Sequence, residues 1–179
     1  MAYPTVDAPY GLKPVNLIGG QVFAGSTRQI KIASNYGTAI FYGDVVKYAN
    51  DGTLNIDSGT TTATPIGVFL GCTYTDPSTS QLTFRQSYPA STVASDIMAY
   101  VLDDPDALFK VAAVSGTTTV AGYGRTIVNN NVSLVQNTGS SVTGNSKVGI
   151  LGSSAATTAT LPIRIVDVVP DTATASDTF

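Results

Sequence analysis

The sequence predicts an all-β fold: a single β-sandwich or barrel, jelly-roll-like, with an extended N-terminal arm and long polar loops. Thr, Val, Ile, Ser, Asn and Gly dominate while Glu is absent, a mix that disfavours helix and suits pleated, half-buried strands. Turn-forming residues recur about every ten positions between short apolar runs, the rhythm of a sandwich or barrel rather than of alternating β-α units. No stretch longer than a couple of turns carries a helical apolar stripe. At 179 residues with a 43% apolar fraction, the chain suffices for one domain with a real core.

The elements follow in order. Residues 1–14 space Pro4, Pro9 and Pro14 among small and aromatic residues, which predicts an extended, polyproline-like arm. Fully extended, such an arm reaches on the order of 45 Å, enough to cross a neighbouring subunit. The β-rich domain is expected over 15–170, followed by a polar tail over 171–179. Residues 28–32 alternate, with Ile30 and Ile32 on one face and Gln29 and Lys31 on the other. Residues 39–48 read as a strand interrupted at Gly43-Asp44, and Asn50-Asp51-Gly52 supplies a tight turn into a second strand over 54–56. Pro65 opens a run over 66–74 that is apolar on both faces, as in a central strand, and Asp76-Pro77 stops it. Residues 97–102 and 108–114 read as a strand pair joined by Asp103-Asp104-Pro105-Asp106. The stretch from 115 to 159 is low in charge and looks surface-like, with weak strands at 133–135 and 148–151. A firm strand is expected over 161–169, with Ile163, Ile165 and Val168 on its apolar face and Pro170 closing it.

Missing residue types narrow the chemistry. The chain has no His, no Trp and no Glu, so the usual Ser/His and Cys/His nucleophile pairs, most zinc sites and the best proton-transfer group near neutral pH are lost. Cys72 stands alone in an apolar run, where a buried, inert thiol is expected. Asp103, Asp104 and Asp106 form the densest carboxylate group, but Pro105 and Leu108 break the alternate spacing of a calcium loop, so a solvated turn is expected. Asn50, Asp51, Asn55 and Asp57 are better explained by a hairpin turn, and Gly19-Gly20 and Gly122-Tyr123-Gly124 lack the partners of a phosphate loop. No catalytic, cofactor-binding or metal-ligating residue is expected, and no enzymatic activity.

Charge points the same way. Only 12% of residues are charged, about half the usual share, and the net charge is −3 with the nine cations dispersed along the chain. Nucleic-acid binding needs clustered cations and is not expected. No apolar run approaches membrane-spanning length, and the N-terminus has neither the basic start nor the apolar core of a signal peptide, so neither a membrane nor Sec export is expected. Function is then expected on protein interfaces, with Tyr3, Pro4, Pro9, Tyr10, Tyr36 and Tyr42 as candidates. Tyrosines supply contact area at modest entropic cost; Phe41 beside them is read as core.

The segments GLKPVNLIGG (11–20), AIFYGDVVKY (39–48), PIGVFLGCTY (65–74), DIMAYVLDDPDALFKV (96–111) and LPIRIVDVV (161–169) give a more specific reading. In that order they resemble the head decoration, or cement, proteins of tailed bacteriophages. The resemblance spans most of the chain, although each segment consists of turn and core residues. It implies a β-rich structural subunit made in the host cytoplasm, bound to the outer surface of the capsid, contacting the major capsid protein and itself as a homotrimer or homodimer. Relatives tend to continue into another strand where this sequence ends at Phe179. The alternative carried by the β-rich class and the tyrosine-bearing polar loops is a phage binding module for a glycan or host-surface ligand.

Overall fold

A computed structural model describes residues 9–169, and they form an all-β structure. The strands are β1 (Lys13–Leu17), β2 (Arg28–Lys31), β3 (Val45–Tyr48), β4 (Leu54–Ile56), β5 (Gly67–Thr75), β6 (Leu82–Arg85), β7 (Met98–Leu102), β8 (Ala107–Lys110), β9 (Ala113–Val114), β10 (Asn131–Val135), β11 (Gly149–Ala156) and β12 (Ile163–Arg164). A single 3-10 turn at Arg125–Ile127 is the one helical element among the described residues.

The strands form three sheets. The largest runs β2-β7-β5-β3-β4 with β6 added to β5; the second runs β12-β10-β11-β9; the third is the pair β1-β8. As the Asn50-Asp51-Gly52 turn predicts, β3 and β4 make a hairpin with Tyr48 opposite Leu54. Asp51 holds that turn by accepting the Thr53 N–H at 3.0 Å and the Thr53 hydroxyl at 2.7 Å.

Strand β5 is the spine of the large sheet. Along one edge it pairs with β7; along the other its first residues meet β3 and its last four meet β6. A bulge between Phe69 and Gly71 lies at this changeover, leaving both Leu70 and Gly71 opposite Tyr100. Gly71 is required there, because its φ is +146° and a Cβ would stand 2.9 Å from the Arg85 carbonyl oxygen. The extra residue shifts the two-residue alternation, so Cys72 and Tyr74 face the same core as Phe69. That shift is why the run reads as apolar on both faces.

Two cores sit on opposite faces of this sheet. On one face Phe69, Cys72, Tyr74, Val46, Leu54, Ala99 and Val101 are closed over by Ile32, Ile40, Tyr88 and Ile97 from the segments flanking β2, β3 and β7. Ile40 and Tyr88 exchange backbone hydrogen bonds of 3.1 and 2.7 Å, which ties two of those covering segments together. On the other face Val45 and Val68 pack with Val132, Leu134 and Ile150 of the second sheet and with Val148 just before β11. Adjacent residues Val45 and Val46, and likewise Val68 and Phe69, therefore serve different cores.

Several expectations need correction. Strands β7 and β8 do not pair with each other: β8 ladders with β1, and β7 lies between β2 and β5. The Asp103–Asp106 turn redirects the chain from one sheet to another, with Asp103 held by Arg28 at 2.7 Å and Asp104 accepting the Asp106 N–H at 2.9 Å. The stretch read as surface-like holds β10 and β11 and, in Val132, Leu134, Val148 and Ile150, four of the nine buried residues of the second core. Its polar residues are satisfied internally: the Ser133 N–H and hydroxyl both reach the Ser154 oxygen, at 2.9 and 3.0 Å. The strand expected over 161–169 shrinks to β12: Ile165 still exchanges backbone hydrogen bonds with Asn129 and Asn130, but no ladder continues, Asp167 turns to Arg125 at 2.8 Å and Val166 is exposed. Of the expected arm, Leu12 is buried in the second core and Lys13 begins β1, so the chain is part of the domain from that point. Residues 1–8, Pro170 and the expected tail over 171–179 lie outside the described residues.

Candidate functional surface

Of the six residues singled out as interface candidates, Tyr3 and Pro4 lie outside the described residues. Pro9 is buried and Tyr10 half-buried, with the Lys13 ammonium 5.1 Å from the centre of the Tyr10 ring and burial raising the Tyr10 pKa. Tyr36 is built into the first core: its hydroxyl accepts the Ile56 N–H at 3.2 Å, its carbonyl accepts the Tyr88 hydroxyl at 3.1 Å, and the two rings lie 6.1 Å apart. A core and loop-tying role therefore accounts for Tyr36. Tyr42 is half-buried on a different segment, its N–H bonded to the Gly144 carbonyl and its own carbonyl to the Ser146 N–H.

Tyr10 and Tyr42 nonetheless belong to one corner. The chain around Gly11-Leu12 crosses the segment 41–44, where Leu12 N–H meets the Gly43 carbonyl at 3.0 Å, and both pass the loop 139–146. The crossing is tight: a Cβ on Gly11 would stand 2.6 Å from the Ser146 Cβ. Asp44 pins it, being 1% exposed, with its carboxylate accepting the Phe41 N–H at 2.7 Å and the Ser146 hydroxyl. Burial pushes the Asp44 pKa up to about 6, and the two hydrogen bonds only partly offset that rise. This corner is where the residues preceding Pro9 enter the domain.

A second polar knot lies between the sheets. Asp57, 1% exposed, accepts the Gly59 and Thr64 N–H groups at 2.9 and 2.7 Å and has the Lys47 ammonium 3.5 Å away. The Gln136 side chain donates to the Asp57 and Gly59 carbonyls, both at 2.9 Å, tying this loop to the end of β10. The sequence signal was Asp57-Ser58-Gly59, a turn in which Asp can hold a local N–H. Every bond there is consumed internally, so the knot is structural.

Among the described residues, no group of three or more His, Cys, Asp or Glu side chains converges as metal ligands would. No helix there is long and apolar enough to cross a membrane. Cys72 is buried, and burial pushes its thiol pKa up to about 12, so it holds its proton at neutral pH. One open depression of about 330 Å³ lies beside β6, bordered by Tyr74, Asp76, Arg85, Pro89 and Thr92.

Exposed apolar side chains mark surfaces the candidate list missed. Phe84 is 69% and Leu82 62% exposed on β6, and Val15, Ile18 and Val22 project around β1. The β6 pair was legible, since Leu82 and Phe84 alternate with Thr83 and Arg85 and both fall on one face of a short strand. No protein-family model, curated protein or solved structure matches this chain.

Proposed function

We propose that this chain is a structural virion subunit, a decoration or cement protein that binds the outer face of a tailed-phage head and stabilises contacts between major capsid proteins. The ordered segments that resemble that family carry the reading. What supports it physically is a β plate with a packed core on each face, apolar side chains displayed at its periphery, and side chains whose polar groups are spent within the fold. A lattice-bound subunit works through shape and repeated modest contacts, which a particle surface multiplies by effective concentration. The same surface offers a second reading, a glycan or host-surface ligand bound at the hydroxyl- and guanidinium-bordered depression beside β6.

The corner at Gly11-Leu12 sets the test. Removing residues 1–14 would delete the buried Leu12 and the first two residues of β1, so the informative deletion is 2–8. Co-sedimentation with purified heads lacking the protein is expected to show attachment weakened several-fold by that deletion, with an unchanged far-UV spectrum. Full binding by the shortened chain would show the segment to be idle, and no binding by the intact chain would remove the reading. Adsorption to glycans that survives the deletion would favour the second reading.

A further inference from the structure

Strand β6 carries an edge that the fold leaves open. Among the described residues it ladders with β5 alone, and three of its four residues are exposed. Open edges are normally blunted by charge, brevity or irregularity. Strand β2 shows the exposed charges Arg28 and Lys31, β4 has three residues, β9 and β12 have two each, and β1 has a register break. Strand β6 instead presents Leu82 and Phe84, with no proline and its single cation at the far end.

The geometry points to a second copy of this chain as the occupant, adding its own β6 antiparallel across a two-fold axis through Thr83. In a continuous antiparallel sheet, residues facing each other across a two-fold share a side of the sheet, so their numbers sum to an even value. Centred on Thr83, that rule sets Leu82 opposite Phe84 of the other copy, and Phe84 opposite its Leu82. Both exposed apolar side chains are then covered, each by the other kind, on one face of the joined sheet. The same register sets Arg85 opposite Gln81 of the other copy. Gln81 is bound through its carbonyl to the Asp76 N–H at 2.9 Å, so each Arg85 arrives beside an Asp76 carboxylate. Among the described residues Arg85 makes no ion pair, only a longer-range attraction to the Asp76 of its own chain, and Ser78 engages one Asp76 carboxylate oxygen, so a closer contact remains open to both groups. An unrelated strand would satisfy the backbone edge, but it would not supply this apolar and charge pairing by symmetry.

The contact is small. Two Phe, two Leu and two four-residue backbone segments bury well under the roughly 1,200 Å² of a stable complex, so the isolated dimer is weak and gains from the crowding of a lattice. Its purpose rests on the capsid reading, but its existence is tested on the isolated protein. Facing residues of an antiparallel pair lie about 4.5–5.5 Å apart between Cα atoms, within reach of a disulfide. The full chain carrying Thr83→Cys, mildly oxidised in solution, is expected to become a covalent dimer at least tenfold faster than Val142→Cys, a 93% exposed position on another loop. Adding Phe84→Lys to Thr83→Cys is expected to bring the rate down to the Val142→Cys level. These positions lie outside both cores, and Cys72 is buried and does not compete.

Equal rates for the two cysteine variants, or a Thr83→Cys rate untouched by Phe84→Lys, would overturn the inference. So would a Thr83→Cys chain that cross-links only to another protein of the head, since a different partner would then own the edge. Absence of the chain from purified heads would refute the capsid reading and leave the cross-link result intact.

Discussion

Asp44 holds a carboxylate where the fold admits almost no water. Its two hydrogen bonds, from the Phe41 N–H and the Ser146 hydroxyl, keep the 41–44 segment against the loop 139–146, yet burial still lifts its pKa from 3.8 to about 6. The native state therefore grips the proton more tightly than the unfolded chain does. Stability is unaffected below the unfolded pKa, falls as pH climbs from about 4 through about 6, and stays reduced above that, by roughly 3 kcal/mol. Asp44→Asn keeps an oxygen for the Phe41 N–H and offers an amide to Ser146. Urea unfolding is expected to show the variant more stable than wild type at pH 8 by roughly 1–3 kcal/mol, with the difference vanishing near pH 4. Parallel pH profiles for the two proteins would place the ionisation elsewhere. Thr73 is the opposite kind of buried polar group, its hydroxyl enclosed between the register positions of Phe84 and Met98 without a hydrogen-bond partner.

At the scale of elements, the bulge in β5 decides which residues become core. Gly71→Ala would place a methyl 2.9 Å from the Arg85 carbonyl in a backbone region L-residues rarely adopt. A loss of roughly 2–4 kcal/mol in denaturant unfolding is expected, larger than the cost of an ordinary strand Gly→Ala change. A neutral effect would mean that the bulge relaxes and that Cys72 and Tyr74 are not locked in phase with Phe69. Much of the fold was legible from such local signals. The Asn50-Asp51-Gly52 hairpin, the alternation around Ile30 and the central position of the Phe69 run all follow from turn chemistry and periodicity. Pairing was not legible. Residues 98–102 and 107–110 sit in the order of a hairpin, and only the tertiary ties of Asp103 to Arg28 and of β8 to β1 separate them. Strands β10 and β11 were legible only as the short, weak runs 133–135 and 148–151, because the Ser and Gly residues around them read as surface. The structure instead uses Ser133 and Ser154 to satisfy each other and Gly152 to admit the Tyr123 ring. On the candidate surface, Tyr36 is partly buried against the first core and bonded to Ile56 and Tyr88, ties that come from residues distant in sequence. For Leu82 and Phe84 the alternation is legible in the sequence, but their exposure is not, because it depends on which strands lie beside β6.

At the scale of the whole molecule, a six-stranded sheet is shared by two cores, one closed by loops and one by a second sheet. Joining the faces through neighbouring residues such as Val45 and Val46 makes a stiff plate, suited to bearing load through its periphery. The corner where Gly11 crosses Ser146 and the β6 edge, which no described strand covers, then lie at the periphery of this plate, where the proposed contacts would form. Image reconstruction of tailed-phage heads that carry this chain is the decisive measurement for the proposed capsid role. Density is expected on the outer surface, over junctions between major capsid proteins, into which the two-core plate fits with its strands resolved. Heads with a bare outer surface at full occupancy of their other proteins, or density for this fold confined to the tail, would contradict it.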